Sequence, residues 1–354
     1  MMLNRKKTGQ APRLASLVAL TAAAALALTA CGGGGGGTGG GTSPAAGGDQ
    51  KITFIPKQLN NPYTDVVLGG GKKGATEAGF ASSQVVGPLE ASASSQVSFI
   101  NAETQAGTNV IVIAANDPDA VCTALGEARS AGAKIVAFDS DANPDCRDVF
   151  ISQVVAKDVA LIQTKLISEQ IGGSGEIAIL SATANATNQN EWIKFMEEEL
   201  KSNPDYKDIK LVAKVYGDDD DTKSFQEAQG LMQAHPNLKG IISPTTVGIA
   251  ATARYLSTSA YKGKVALTGL GLPNEMRPFV KDGTVKEFAL WDPAQLGYIA
   301  AFAGKALTDG KITGAPGDKF TAGELGDRTV EEGGLVIVGP PTVFNTENID
   351  KYDF

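Results

Sequence analysis

Short, nearly unbroken apolar runs recur along this chain, at 51–56 (KITFIP), 109–114 (NVIVIA), 133–138 (AKIVAF) and 176–180 (EIAIL). A strand with one wet face alternates apolar and polar residues. A strand that is apolar throughout is buried on both faces, as in a parallel sheet covered by helices. The segments between these runs have helical length and pattern: 62–79 behind Pro62, 95–106, 117–131, 157–171, 190–202 and 222–234. Further strands are expected at 84–87, 210–216, 240–242, 265–268 and 285–290. Strand and helix in regular alternation predict βαβ units, an α/β fold with doubly wound parallel sheets.

The pattern restarts near residue 150, where 149–153 reads as a short crossing segment, so two sheets are expected. Open sheets of this kind bind ligand beyond the carboxyl ends of their strands, and clefts between domains favour pockets. Candidate residues are therefore sought at strand ends. Lys57, Asn61 and Tyr63 follow the first strand, and Asp139 and Asp141 follow the strand 133–138. Thr187, Asn188, Gln189 and Trp192 occupy a loop-to-helix junction. Pro244, Thr245 and Thr246 follow the strand 240–242, while Trp291 and Asp292 follow 285–290. Each of these taken alone suits a cap or turn as well as a ligand. Together they suit a polyol, because Asn and Gln both donate and accept, Asp accepts, Lys donates, and an aromatic wall covers the apolar face of a sugar ring.

Other chemistries find little support. The run Gly69–Gly74 contains Lys72 and Lys73 but no Ser or Thr after the lysine, as a phosphate-binding loop requires, and it lies within a helical pattern. It reads as a close helix-packing surface. His235 is the only histidine and sits at a helix end, so no His-dependent triad can be assembled around another. The acidic run Asp218–Asp221 lacks the spaced ligands of a calcium loop and reads as a solvated turn with one capping Asp. No metal and no cofactor are expected.

The first thirty residues stand apart. Arg5, Lys6, Lys7 and Arg13 precede the apolar stretch 14–30, which is short for a membrane span and has the flanks of a secretory signal. Leu28-Thr29-Ala30-Cys31 resembles the lipobox of bacterial lipoproteins, which implies cleavage before Cys31 and its acylation. Residues 32–50 are mostly Gly, Thr, Ser, Ala and Pro, a flexible tether that would hold the body roughly 20–25 Å from a lipid anchor. Removing the four basic residues from the 31 Lys and Arg leaves 27 against 39 Asp and Glu, a formal charge of −12 that argues against nucleic acid. In an exported chain the remaining pair, Cys122 and Cys146, reads as a disulfide.

From residue 51 onward the chain resembles the type I periplasmic sugar-binding proteins, the substrate-capturing lipoproteins of ABC importers. Leu59-Asn60-Asn61-Pro62-Tyr63 and Phe138-Asp139 are similar to sugar-contacting segments of the ribose-type members. Phe54-Ile55-Pro56-Lys57, Asn188-Gln189-Asn190-Glu191-Trp192, the segment 273–278 (PNEMRP), Leu290-Trp291-Asp292 and the ending 344–354 (FNTENIDKYDF) match the branch of rhamnose-binding and autoinducer-2-binding proteins. The resemblance implies a first domain of 51–153 plus 293–332 and a second of 154–292 plus 333–354, joined by a three-crossing hinge, with ligand contacts at Lys57, Asp139, Asn188, Gln189, Pro244 and Thr246. Where the autoinducer-2 binders have a second Asp and an Ala, this chain has Asn188 and Thr246. The segments 184–190 and 243–251 are similar to the rhamnose-binding members instead. L-rhamnose or a related deoxyhexose is the expected ligand, with an autoinducer-2-type furanose or another pentose or hexose as the alternative. The implied partners are a membrane permease and its ATPase in separate chains, and the protein is expected as a lipid-anchored extracytoplasmic monomer. A sugar-sensing receptor subunit would share the fold, and a secreted glycosidase would need a close pair of carboxylates.

Overall fold

The computed structural model of the protein describes residues 49–354. The signal segment, Cys31 and nearly all of the tether lie outside them. The first sheet is built from β1 (Lys51–Ile55), β2 (Ser82–Val85), β3 (Val110–Ile113), β4 (Lys134–Phe138) and β5 (Val149–Ser152). Its helices are α1 (Pro62–Ala78), α2 (Ala93–Gln105) and α3 (Cys122–Ser130). The second half adds α4 (Ala156–Ile171), β6 (Gly175–Ser181), α5 (Thr187–Ser202), β7 (Ile209–Tyr216) and α6 (Asp221–Ala234). It continues with β8 (Leu238–Ser243), α7 (Thr246–Thr258), β9 (Ala266–Gly269), α8 (Pro273–Lys281) and β10 (Phe288–Leu290). The chain then returns through α9 (Pro293–Thr308), a small hairpin of β11 (Lys319–Thr321) and β12 (Asp327–Thr329), then β13 (Leu335–Ile337) and β14 (Thr342–Phe344).

The first sheet has the order β13-β5-β4-β3-β1-β2 and is parallel throughout. The second, β7-β6-β8-β9, is also parallel, and a bridge from Leu270 to Ala289 carries it on to the antiparallel pair β10 and β14. The apolar runs are buried on both faces, as expected. Ile111, Ile113 and Ile135 pack in the cluster with Ile100 and Leu125 of α2 and α3. Val110, Val112 and Val136 join the larger cluster that holds Val67 of α1 and Leu296 of α9.

The glycine run of α1 serves that packing. A Cβ on Gly70 would lie 1.9 Å from the Ala294 carbonyl oxygen, and one on Gly74 would lie 2.7 Å from that of Tyr298. Only glycine lets α1 and α9 approach so closely. Cys122 and Cys146 are joined as a disulfide with Cα atoms 5.3 Å apart, pinning the loop after β4 to the start of α3.

Two boundaries differ from expectation. Residues 149–153 were expected as a crossing, yet 149–152 form β5, paired to β4, and the chain leaves the sheet only at 153–155. Residues 333–337 were allotted to the second half, yet β13 pairs with β5 of the first sheet. The reason is shared: a strand of three or four residues carries too little pattern to be told from a linker. The lobes are thus connected at 153–155, at Trp291-Asp292 and at 338–341.

Candidate functional site

The carboxyl ends of β1 and β4 meet those of β6, β7 and β8 around one cavity. Lys57 enters it from the end of β1. Its backbone is held by α2, where the buried Gln96 donates to the carbonyls of Pro56 (2.9 Å) and Ala114 (2.7 Å) and accepts from the amide of Asn116. Asn116 in turn donates to the Lys57 carbonyl at 2.8 Å. Asn61 caps α1 through the Thr64 amide and also lines the cavity, together with Tyr63 in the first turn of the helix.

Asp139 ends β4 in a left-handed conformation, φ 61°. Asp is one of the few residues other than glycine that tolerates this region, where a strand must turn sharply. Its Oδ1 accepts from the Tyr63 hydroxyl (2.9 Å) and from Gln153 (2.6 Å), while Oδ2 faces the Lys57 ammonium at 3.5 Å. The Tyr63 hydroxyl also accepts from the Trp291 indole N–H at 3.0 Å. Burial first, and then the charge of Asp139, raise the Tyr63 pKa well above its ordinary value, so it remains a neutral phenol that can donate. Oδ2 is the oxygen of Asp139 that a ligand hydroxyl can share with Lys57.

The opposite wall begins in the first turn of α5. Asn188 accepts from Lys57 (3.3 Å) through its amide oxygen and donates to the Asp139 carbonyl (3.3 Å). Gln189 lines the cavity, but its amide oxygen is held inside the lobe by the Ser181 hydroxyl and the Ala182 amide. Pro244, Thr245 and Thr246 arrive where β8 turns into α7. Trp192 and Trp291, the chain's only two tryptophans, stand edge to face with ring centres 5.8 Å apart. Phe138, Leu270 and Leu290 complete an apolar side. The space left between these walls is small, about 60 Å³.

The structure therefore gathers Lys57, Asn61, Tyr63, Asp139, Asn188, Gln189, Pro244, Thr246 and Trp291 around one cavity. Asp292 is the exception. Its Oδ1 accepts from the Ala294 amide (3.0 Å) and its Oδ2 from Gln295 (3.3 Å), so both oxygens cap α9 and face a separate crevice near the third crossing. Asp141 takes a supporting part: Arg147 grips it at 2.5 and 2.8 Å and also donates to the Gly333 carbonyl. Burial nonetheless raises the Asp141 pKa.

Among the lining residues that were not anticipated, Asp219 and Gln58 bridge the two walls. Asp219 belongs to the run expected as a solvated turn; Asp220 does cap α6 as foreseen, but Asp219 turns into the cavity and accepts from the Thr245 hydroxyl. Gln58 reaches across from the first lobe to donate to the Asp219 carbonyl at 3.2 Å. The available signal was position: the run follows β7 directly, and a single cap explains only one of its four acids.

A sequence profile described as a periplasmic binding protein domain matches residues 52–312, well over half of the chain. The chain belongs to the periplasmic binding protein family. A sugar ABC transporter protein from Actinomyces odontolyticus is 73% identical, covers 86% of this chain and 98% of its own, and superposes with a TM-score of 0.71. An ABC transporter solute-binding protein from Clostridium phytofermentas with bound L-rhamnose is 34% identical with a TM-score of 0.82, over 86% of this chain and 98% of its own. LsrB of Clostridium saccharobutylicum, in complex with AI-2, is 26% identical with a TM-score of 0.80, over 86% and 100%. Among curated proteins, a D-apiose import binding protein of Actinobacillus succinogenes is 25% identical over 71% of this chain and 80% of its own length. This periplasmic binding protein is of the sugar ABC transporter type, from an extracytoplasmic family that binds substrate and does not transform it.

Proposed function

We propose that the protein captures L-rhamnose or a related deoxyhexose by closing its two lobes over the sugar and presents the closed form to a membrane permease. The observation that carries this reading is the cavity itself, with polar groups of both lobes on one side and Phe138, Leu270, Leu290 and the two tryptophans on the other. Lys57, Asn61, Asp139 and Asn188 match the alternating donors and acceptors of a sugar's hydroxyls. The apolar side suits the C–H face of a pyranose and the methyl group that replaces a hydroxyl in a 6-deoxy sugar, a burial worth about 0.8 kcal/mol for one carbon. Asn188 and Thr246 stand where autoinducer-2 binders have Asp and Ala, and the rhamnose-bound relative superposes well at 34% identity.

Closure is supported by the superpositions. A relative with 73% identity superposes less well, over the same share of this chain, than two ligand-bound proteins of 34% and 26% identity. At such high identity each lobe keeps its fold, so the lower score points to a different angle between lobes. Ligand would enter the open form and stabilise the closed one by contacts that span both walls. The anchor is acylated Cys31, the permease and its ATPase are separate chains, and the binding protein acts as a monomer.

Titration calorimetry of the protein against L-rhamnose, L-fucose, D-ribose and autoinducer-2 tests this. L-rhamnose should bind tightest. Tight binding of one of the others with no heat from rhamnose would sink the deoxyhexose assignment and leave the sugar-binding class intact.

A further inference from the structure

One acid of the cavity has no counterpart in the expected ligand set. Asp219 lies in the tight turn after β7, where both Asp218 (φ 55°) and Asp219 (φ 52°) are left-handed. Two consecutive non-glycine residues in this region are costly, of the order of 1–3 kcal/mol each, and persist where the surroundings over-determine them. Here they aim the Asp219 carboxyl inward. One carboxyl oxygen accepts from the Thr245 hydroxyl, and the backbone carbonyl accepts from Gln58 of the opposite lobe. The second carboxyl oxygen has no protein donor among the described residues, and Asp219 lines the cavity. Gln58, Asn61 and Asp219 are also the three residues common to the cavity and to a wider acidic groove outside it, so they form the seam between the two.

We propose that Asp219 is a sugar-contacting residue, the second lobe's counterpart of Asp139, and that it restricts the site to neutral sugars. The charges support the second part. Lys57 faces Asp139 at 3.5 Å and is already committed to it, so ionised Asp219 leaves the cavity one negative charge in excess. A neutral polyol can satisfy that charge by donating a hydroxyl. A uronate or sugar phosphate would bring a second anion into a site that screens it poorly. Burial raises the Asp219 pKa despite the pull of Lys57 and the Thr245 hydrogen bond.

This inference rests on the sugar-binding reading, and the experiment separates the two. Calorimetry of the native protein and of Asp219→Asn is run with L-rhamnose, L-fucose, D-ribose, D-glucuronate and D-galacturonate. The native protein should bind a neutral sugar and neither uronate. Asn keeps the acceptor for Thr245 but removes the charge, so Asp219→Asn should bind that neutral sugar about ten- to a hundredfold more weakly, the range for a hydrogen bond to a charged group. Its melting temperature without ligand should match that of the native protein. Retention of native affinity within threefold, or tight native binding of a uronate, would overturn this inference while the sugar-binding reading stands. No binding of any sugar by the native protein would overturn both.

Discussion

The two walls of the cavity hold their polar groups by different means. On the first lobe, Asp139 is bound by Tyr63, Gln153 and Lys57, and Lys57 is backed by Asn116 and Gln96, all from the first lobe or the hinge strand leaving it. That wall is assembled before ligand arrives. On the second lobe, Asn188 finds both its amide oxygen's and its amide nitrogen's cross-cleft partners on Lys57 and Asp139, and Asp219 is held to the first lobe through Gln58. Those contacts exist only when the lobes are together. On the proposed function, a site built this way would have one rigid half to read the sugar and one half whose contacts report closure. Pre-organisation lowers the cost of binding, whereas contacts made only on closing convert binding into a change of shape.

The largest expected effect comes from breaking the rigid wall. Asp139→Asn preserves the volume but removes the charge that faces Lys57, and truncating one partner of a buried charged pair costs about 2–5 kcal/mol. Sugar affinity measured by calorimetry should fall by roughly two to three orders of magnitude. A fall of less than tenfold would remove Asp139 from the centre of recognition. A smaller effect should follow from Gln58→Ala, which takes away one contact across the seam and leaves the first wall intact. The loss of a single neutral hydrogen bond predicts a two- to tenfold weaker affinity. Small-angle scattering of the ligand-free variant should show a larger radius of gyration, and an unchanged radius would mean that this contact does not hold the lobes together.

The smallest effect is one of pH. Asp219 is raised by burial, and the charged or titratable groups that face it are Lys57 and Asp139 across the cavity and Asp218 beside it. Ligand hydroxyls donate to its ionised form, so affinity should be full at neutral pH. It should begin to fall, as the solution is acidified, at a higher pH than the ordinary Asp range near 4. Asp219→Asn should flatten that upper part of the profile. A native profile that stays level down to the ordinary range would show that Asp219 does not meet the ligand as an anion.

Much of this architecture was legible in the chain. Apolar runs such as 109–114 announced strands buried on both faces, and the alternation with helices announced parallel sheets, because period and length are local properties. That the ends of β1, β4 and β8 and the first turn of α5 would converge followed from the rule that such sheets bind at their carboxyl edges, and they do line one cavity. The failures also have physical causes. Asp292 sits at a strand end like the others, but being one residue before Pro293 it became the cap of α9, and only the folded backbone decides whether a carboxylate serves a helix or a cavity. Asp219 was hidden among four consecutive acids that differ only in backbone angle.

The sequence alone therefore determined the layers, the two lobes and the edge along which ligand would lie, since hydrophobic period and turn chemistry are written residue by residue. The strand β4 and the Asp139 that follows it could be singled out on that basis. What only the tertiary structure decided was partnership across the cleft. Lys57 with Asn188 and Gln58 with Asp219 are 131 and 161 residues apart, and no local pattern encodes which of several polar side chains at converging strand ends will face each other once two lobes meet.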